Sequence, residues 1–458
     1  MDNEEYSEYI SSDQPKFLIT IPFNLDGYDS LIIFFFLFFA VFSRFWVLPF
    51  PRVMTKIEGK YIKYLHNYRN KTYFHPEEPV LAKIAYIPFL KLMEYDYSYP
   101  ISSPNDYIYQ STLYNSMRSI PAFCSTLAVP IGYLIMRLFR FSKVVAFSAA
   151  FFMLCECSLI GSARFIGEGG LSQLFNSLTL MFIAISYHYA SDTIPFLFYV
   201  IISIILSGIC LSIDLGSFPF YVITMMWSIT HLKNMKLFLK FSVALPLIIY
   251  KFSLITHVLL SHKHSNTESD IDNIVKRVLI NENPKFGFNH ILYGISIILK
   301  QLSHYVFSIS ISPPGVFFDR LLLKGKAHIE YSNDGRFSIN CTNFFITVPS
   351  FFIICYLIVF KVRRSSYDFF LWIALIYMLS ILCFALGLSH KTLMGVSPLT
   401  YLTCIVYPIA LDTLFSRYFS SIIISMSCFL ALLFYYDISP FIYFYDNPYS
   451  LIPSSLYL

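Results

Sequence analysis

The chain has 458 residues, of which 56% are hydrophobic and 19% aromatic, and only 13% are charged. Soluble domains carry about a quarter charged residues, so this composition excludes an ordinary soluble protein and marks an all-α polytopic membrane protein. The formal net charge of +5 is modest, gives no case for nucleic-acid binding, and matters through its placement.

Residues 1–29 form a polar tail with Asp2, Glu4, Glu5, Glu8 and Asp13. A signal peptide would run from basic to apolar, so the first span is expected to act as an uncleaved anchor. Apolar runs of about 17–25 residues are span candidates. About eleven can be read, at 30–48, 119–139, 143–161, 171–191, 194–212, 216–231, 237–259, 344–361, 368–388, 396–415 and 418–436. Asp214, Gly216 and Pro219 interrupt the stretch 194–231. This divides the chain into a cytosolic tail (1–29), an N-terminal membrane domain (30–259) with a loop at 49–118, a second loop at 260–343, and a C-terminal four-helix membrane region (344–458).

Charge sets the expected orientation. Arg137, Arg140, Lys143, Lys233, Lys236, Lys361, Arg363, Arg364 and Arg417 fall in connections on one side, which the positive-inside rule makes cytosolic. The acidic tail, with Arg52 and Lys56 after the first span, argues the opposite way and is outvoted. Both long loops are then lumenal, and each carries a glycosylation sequon, at Asn70 and Asn340. Residues 79–94 place Val80, Leu81, Ile84, Ile87, Leu90 and Met93 at near-helical spacing over too short a length to span. They read as an interfacial helix bent at Pro88.

Eight of the nine Cys sit in apolar runs, and only Cys341 lies near a loop, so no disulfide framework is expected. Cys155-Glu156-Cys157 lacks a second ligand pair, so no metal is expected. An isolated charge at a span centre costs about 2.5–3.5 kcal/mol, and transporters carry such charges at mid-membrane. Here Glu156, Arg164, Glu168 and Asp214 gather near the lumenal ends instead, which favours an interfacial active site over a lipid or solute transporter.

At this point the residues resemble the protein O-mannosyltransferase family, which has the GT-C fold. Arg44-Phe45-Trp46 followed by Pro51 is similar to the family's first-span exit, and the family's loop Asp-Glu pair falls on Ile57-Glu58. Glu78-Pro79-Val80-Leu81-Ala82-Lys83 resembles its His-Pro-Pro-Leu-Gly-Lys stretch. Met117-Arg118, Pro121-Ala122, Glu156 with Ser158-Leu159, Arg164-Phe165-Ile166, Ser312-Pro313, Lys324-Gly325, Pro398 and Pro440 continue the series in order. The chain departs from it at Ile57, at Glu78, at Glu168 beside Gly169-Gly170, and at Met394-Gly395-Val396. The 260–343 loop is also too short for a MIR domain.

The resemblance implies mannose transfer from dolichyl-phosphate mannose to Ser/Thr-rich acceptor proteins, in a multi-pass protein of the endoplasmic reticulum membrane that meets its donor in the membrane lipid. It expects Glu58 or Glu78 as catalytic carboxylate in place of the missing Asp, Arg118, Arg164 and Lys83 at the donor phosphate, and Glu156 and Glu168 in support. The blander readings are a solvated Glu58, helix-end anchoring by the arginines or pairing of Arg164 with Glu156, and a snorkelling Lys83. The alternative function is an impaired paralogue that acts as partner subunit, in a hetero- or homodimer, of an active transferase.

Overall fold

The computed structural model describes residues 25–49, 56–74, 79–92, 112–190, 193–231, 239–261, 328–331, 337–340, 396–415 and 417–443, with a few more between 349 and 356. Helix α1 (Gly27–Phe45) starts at a reciprocal capping box. Asp29 N–H donates to Asp26 Oδ1 at 2.8 Å, and Asp26 N–H to Asp29 Oδ2 at 3.3 Å. One face of α1 buries Phe36 and Ala40, while Leu31, Phe34, Phe38 and Phe42 stay exposed, as a lipid-facing surface requires.

The segment read as a loop after the first span holds two helices, α2 (Lys56–Asn70) and α3 (Leu81–Leu92, with Pro88 inside it). Then come α4 (Thr112–Leu138), α5 (Lys143–Cys155), α6 (Cys157–Arg164), α7 (Gly169–Ser186), α8 (Ile194–Ile213), α9 (Phe218–His231) and α10 (Leu245–Leu260). Strands β1 (His328–Tyr331) and β2 (Phe337–Asn340) pair antiparallel, with His328 opposite Asn340. This small hairpin, with β2 against α6, is the one described departure from an all-helical chain. Helices α11 (Val396–Leu414) and α12 (Arg417–Tyr443) close the described order.

Five described helices are long and apolar enough to span, and the α5–α6 pair, bent by 51°, makes a sixth. The expected spans at 344–361 and 368–388 fall almost wholly outside the described residues. The expected 143–161 span is broken, because Glu156 leaves helical geometry at φ −74°, ψ 112°.

Helix α7 is central, packed on α4 and α8. Gly170 makes this possible: a Cβ there would lie 2.0 Å from the Pro121 carbonyl oxygen on α4. Small residues at such crossings let backbones approach, which is how membrane helices gain packing contact. Gly208 on α8 likewise sits against Pro246 on α10, where a Cβ would come within 2.8 Å of Cα. The apolar core runs through Phe36, Tyr133, Phe152, Ile183, Val200 and Trp227 and reaches Tyr401 on α11.

Pairing across helix ends fixes which ends share a face. Buried Asp29 accepts from the Tyr133 hydroxyl and from Arg137 Nε at 3.0 Å, and Asp26 pairs with Lys143. The acids at the start of α1 therefore lie with the basic α4–α5 turn, on one face. Of the acids before and at the start of the first span, Asp26 and Asp29 are paired locally with this turn; Asp2, Glu4, Glu5, Glu8 and Asp13 lie outside the described residues.

Candidate active site

The opposite face is built on the exit of α1. Three arginines, each at most 1% exposed, hold it. Arg164 at the end of α6 donates through Nη1 to the carbonyls of Arg44 (3.1 Å) and Trp46 (2.7 Å), and through Nη2 to that of Val47 (2.8 Å). Arg118 on α4 donates through Nη1 to the carbonyls of Leu48 (3.3 Å) and Pro49 (3.1 Å). Arg44 itself reaches back to the C-terminal carbonyls of α5, Met153 at 2.9 Å and Leu154 at 3.3 Å. Burying a charge costs several kcal/mol unless hydrogen bonds replace its water shell. Carbonyls at helix ends lack intrahelical partners, so each arginine answers two deficits together. Val47 has φ 50°, a left-handed conformation unfavourable for a β-branched residue, and its carbonyl is among those Arg164 holds.

Glu58 in the first turn of α2 completes the Arg118 shell. The contact is bidentate, Nε to Oε1 at 2.8 Å and Nη2 to Oε2 at 3.0 Å, and both side chains are fully buried. The Ile166 N–H adds a third bond to Glu58 Oε1 at 3.1 Å. The segment 165–168 between α6 and α7 is then fixed residue by residue. The Phe165 ring lies 5.4 Å from the Arg118 guanidinium, and Ile166 is tied to Glu58. The Tyr86 hydroxyl of α3 donates to the Gly167 carbonyl at 2.8 Å and accepts its N–H at 3.1 Å. The Tyr61 hydroxyl of α2 donates to Glu168.

Glu58, Arg118, Arg164, Glu168 and Lys83 are thus brought to one face, with roles that differ from expectation. Glu58 carries three donors on its two oxygens, so it is a tether for Arg118 and segment 165–168, not an open base. Arg164 directs Nη1 and Nη2 to the α1 exit, and Arg118 divides its guanidinium between that exit, through Nη1, and Glu58, through Nε and Nη2. Lys83 does not snorkel. It is 1% exposed, donates to the Pro79 carbonyl at 2.9 Å, and lies 5.4 and 5.0 Å from the Tyr61 and Tyr64 rings. Glu156 sits at the α5–α6 break, accepting from Ser158 Oγ at 3.2 Å, so the continuous helix assumed for a Glu156–Arg164 pair is absent. Glu78 and the Ile57 side chain lie outside the described residues.

Sequence reasoning missed Tyr61, Tyr86 and the membrane-side support. That support runs from Arg44 Nε to Ser125 Oγ (3.3 Å), on to Gln173 Oε1 (2.6 Å), and from Gln173 Nε2 to Ser162 Oγ (3.0 Å). It also missed the clamp on α2. There the Tyr68 hydroxyl meets His257 Nδ1 at 2.7 Å, and His257 Nε2 donates to the Phe74 carbonyl at 3.1 Å. Burial raises the Tyr68 phenol well above its usual range, which keeps it a donor.

Residues 34–260 match the family model of dolichyl-phosphate-mannose-protein mannosyltransferases. No curated protein matches the chain by sequence. Among solved structures, the chain is similar to the Archaeoglobus fulgidus oligosaccharyltransferase in its apo form, at 14% identity and TM-score 0.51, over 92% of this chain and 56% of that one. It is also similar to the Saccharomyces cerevisiae protein O-mannosyltransferase Pmt1-Pmt2 complex bound to the sugar donor, at 17% identity and TM-score 0.48, over 57% of this chain and 38% of that one. The chain therefore spans little more than half the length of the first structure and well under half of the second. At these identities the first likeness speaks to the fold, a GT-C membrane bundle.

Proposed function

Because residues 34–260 belong to the dolichyl-phosphate-mannose-protein mannosyltransferase family, we propose that the chain is a membrane glycosyltransferase. It moves mannose from dolichyl-phosphate mannose to Ser or Thr hydroxyls of secretory proteins, at the lumenal face of the endoplasmic reticulum membrane. The observation that carries this reading is the cationic floor beneath segment 165–168, where buried Arg118 and Arg164 lie under the α1 exit.

In the reaction the acceptor oxygen attacks the anomeric carbon. The bond from that carbon to the phosphate oxygen breaks, and dolichyl phosphate leaves with the electron pair. The hydroxyl proton passes to a carboxylate. Arg164, whose Nη1 and Nη2 meet neutral carbonyls, supplies the positive potential for the departing phosphate, while Arg118, balanced by Glu58, holds the floor in shape, so the fixed groups need no rearrangement as charge develops. With both Glu58 oxygens engaged, proton acceptance falls to Glu168, next to the segment Glu58 holds, or to Glu78.

One specific observation favours a second reading. Ile57 stands where the family resemblance expects the acceptor-side Asp, and its neighbour Glu58 is tied to Arg118. On that reading the chain keeps the scaffold but not the base, and serves as partner subunit of an active transferase. Purified protein given dolichyl-phosphate mannose and a Ser/Thr-rich peptide separates the two. Transfer by the wild type, lost in Glu168→Gln or Glu78→Gln, supports the enzyme. No transfer alone, with activity gained by Ile57→Asp, supports the partner subunit.

A further inference from the structure

A cavity of about 400 Å³ lies on the other face of the bundle, far from the floor just described, at the corner of α4, α5, α11 and α12. It is lined by Arg137, Ser142, Lys143, Asp412, Ser420 and Ser421, with Val144, Val145 and Ile424 at its apolar side. Its volume falls in the range of small-molecule sites, roughly 300–1,000 Å³.

Asp29 and Asp26 balance the charges of Arg137 and Lys143, but the walls keep hydrogen-bonding capacity. Arg137 has five N–H groups. Among the described residues it uses one from Nε on Asp29, one from Nη1 on the Phe141 carbonyl and one from Nη2 on Asp29. Two remain. Lys143 pairs with Asp26, and its side chain is still 41% exposed. Ser142 uses its oxygen to cap Val145 N–H at 3.4 Å, which leaves its hydroxyl hydrogen to give. Asp412 accepts from Ser420 Oγ at 3.4 Å through Oδ1, and Oδ2 accepts nothing among the described residues. The cavity therefore offers donors at one end and a carboxylate at the other.

We propose that this cavity binds the headgroup of an amine-bearing phospholipid of the phosphatidylethanolamine type, its phosphate on Arg137, Lys143 and Ser142 and its ammonium on Asp412. A bare anion would meet the Asp412 carboxylate at short range, which argues against free phosphate. A choline headgroup has no N–H to give Asp412. The lipid source follows from the rim: Val144 is 46% exposed, and Phe419 and Ile422 in the first turns of α12 are 52% and 42% exposed. Val144 lines the cavity, and Phe419 and Ile422 adjoin the lining Ser420 and Ser421 in sequence, so apolar side chains open to acyl chains accompany the polar cavity. The start of α5 flanks the phosphate end, where its dipole favours an anion.

The test uses the full-length protein in detergent, offered equal amounts of phosphatidylethanolamine, phosphatidylcholine and phosphatidylglycerol with identical chains, and read by native mass spectrometry. Phosphatidylethanolamine is expected to be retained about tenfold over the other two, the worth of one charge-assisted hydrogen bond. Asp412→Asn should remove the preference over phosphatidylglycerol, and Lys143→Gln should weaken retention of both. Should Asp412→Asn not fold, stepwise N-methylation of the ethanolamine lipid on the wild type should give a stepwise loss. Equal retention of the three lipids, a preference unchanged in Asp412→Asn, retention indifferent to methylation, or displacement of the lipid by inorganic phosphate would each overturn the proposal.

Discussion

Removing the carboxylate from the Glu58–Arg118 pair tests the floor directly. Glu58 accepts two N–H bonds from a guanidinium, at 2.8 and 3.0 Å, and one from Ile166 at 3.1 Å, with neither side chain exposed. Breaking a buried pair from one side costs about 3–5 kcal/mol, because the remaining charge stays buried. Arg118 keeps the Leu48 and Pro49 carbonyls, so Glu58→Ala should cost about 4 kcal/mol. Glu58→Gln retains an acceptor for Ile166 and should cost about 2 kcal/mol, the scale of a hydrogen bond to a charged group. Pairing Glu58→Leu with Arg118→Met should recover at least about 1.5 kcal/mol of the summed single losses. Cys124, left as the single cysteine, offers a reporter, since it is buried in the same cluster as Tyr61, Met117 and Ile166 and its labelling should rise as that cluster opens. The loss should persist at high salt, because buried pairs are poorly screened. A Glu58→Ala loss under about 1 kcal/mol, or one that vanishes in 1 M salt, would refute the tether. So would a Glu58→Gln protein of native stability that has lost all turnover, which is the behaviour of a base.

Three further outcomes follow from the same geometry. Gly170→Ala should lower thermal stability sharply, since its Cβ would lie 2.0 Å from backbone on α4, whereas Gly161→Ala, with nothing within 4 Å, should be neutral or gain up to about 1 kcal/mol in helix propensity. Arg164→Lys replaces a fork by a point charge and cannot serve three carbonyls together, so amide exchange over residues 46–49 should quicken while the core amides of α7 hold. Single cysteines at Tyr28 and Lys143 should be labelled from the same side of sealed microsomes, because Asp26 and Lys143 pair; labelling from opposite sides would break the topology.

Spans such as 30–48 and 194–212 were legible because unbroken apolar runs admit few other readings, whereas 216–231 holds a helix of 14 residues, short of a span by itself. Helix α2 was not, although Tyr61, Tyr64, Leu65 and Tyr68 sit at i, i+3, i+4 and i+7. Tyrosine among lysines reads as polar, yet here the rings pack inward and only the hydroxyls seek partners. The break at Glu156 was hidden because Cys-Glu-Cys lies inside an apolar run, and nothing local shows that Arg44 will take up the carbonyls freed there. The site residues were picked from a resemblance, while their roles depend on pairings 60 to 120 positions apart along the chain, as between Glu58 and Arg118 or Arg164 and the Arg44 carbonyl.

The break at Glu156 also sets the depth of the site. Helix α5 has 13 residues, so it rises about 20 Å, against about 30 Å for the hydrocarbon core of a bilayer. If Lys143 marks one interface, Glu156 stops about 10 Å short of the other. The remaining depth falls to α6, whose eight residues are set at 51° to α5 and add about 7–8 Å along the α5 axis. Arg44, which takes up the carbonyls freed at the break, therefore sits below the interface, where carbonyls and not water meet its charge. Bilayer thickness then becomes a stress on this bent column, as mismatch between a short hydrophobic column and a thick membrane is relieved by local thinning.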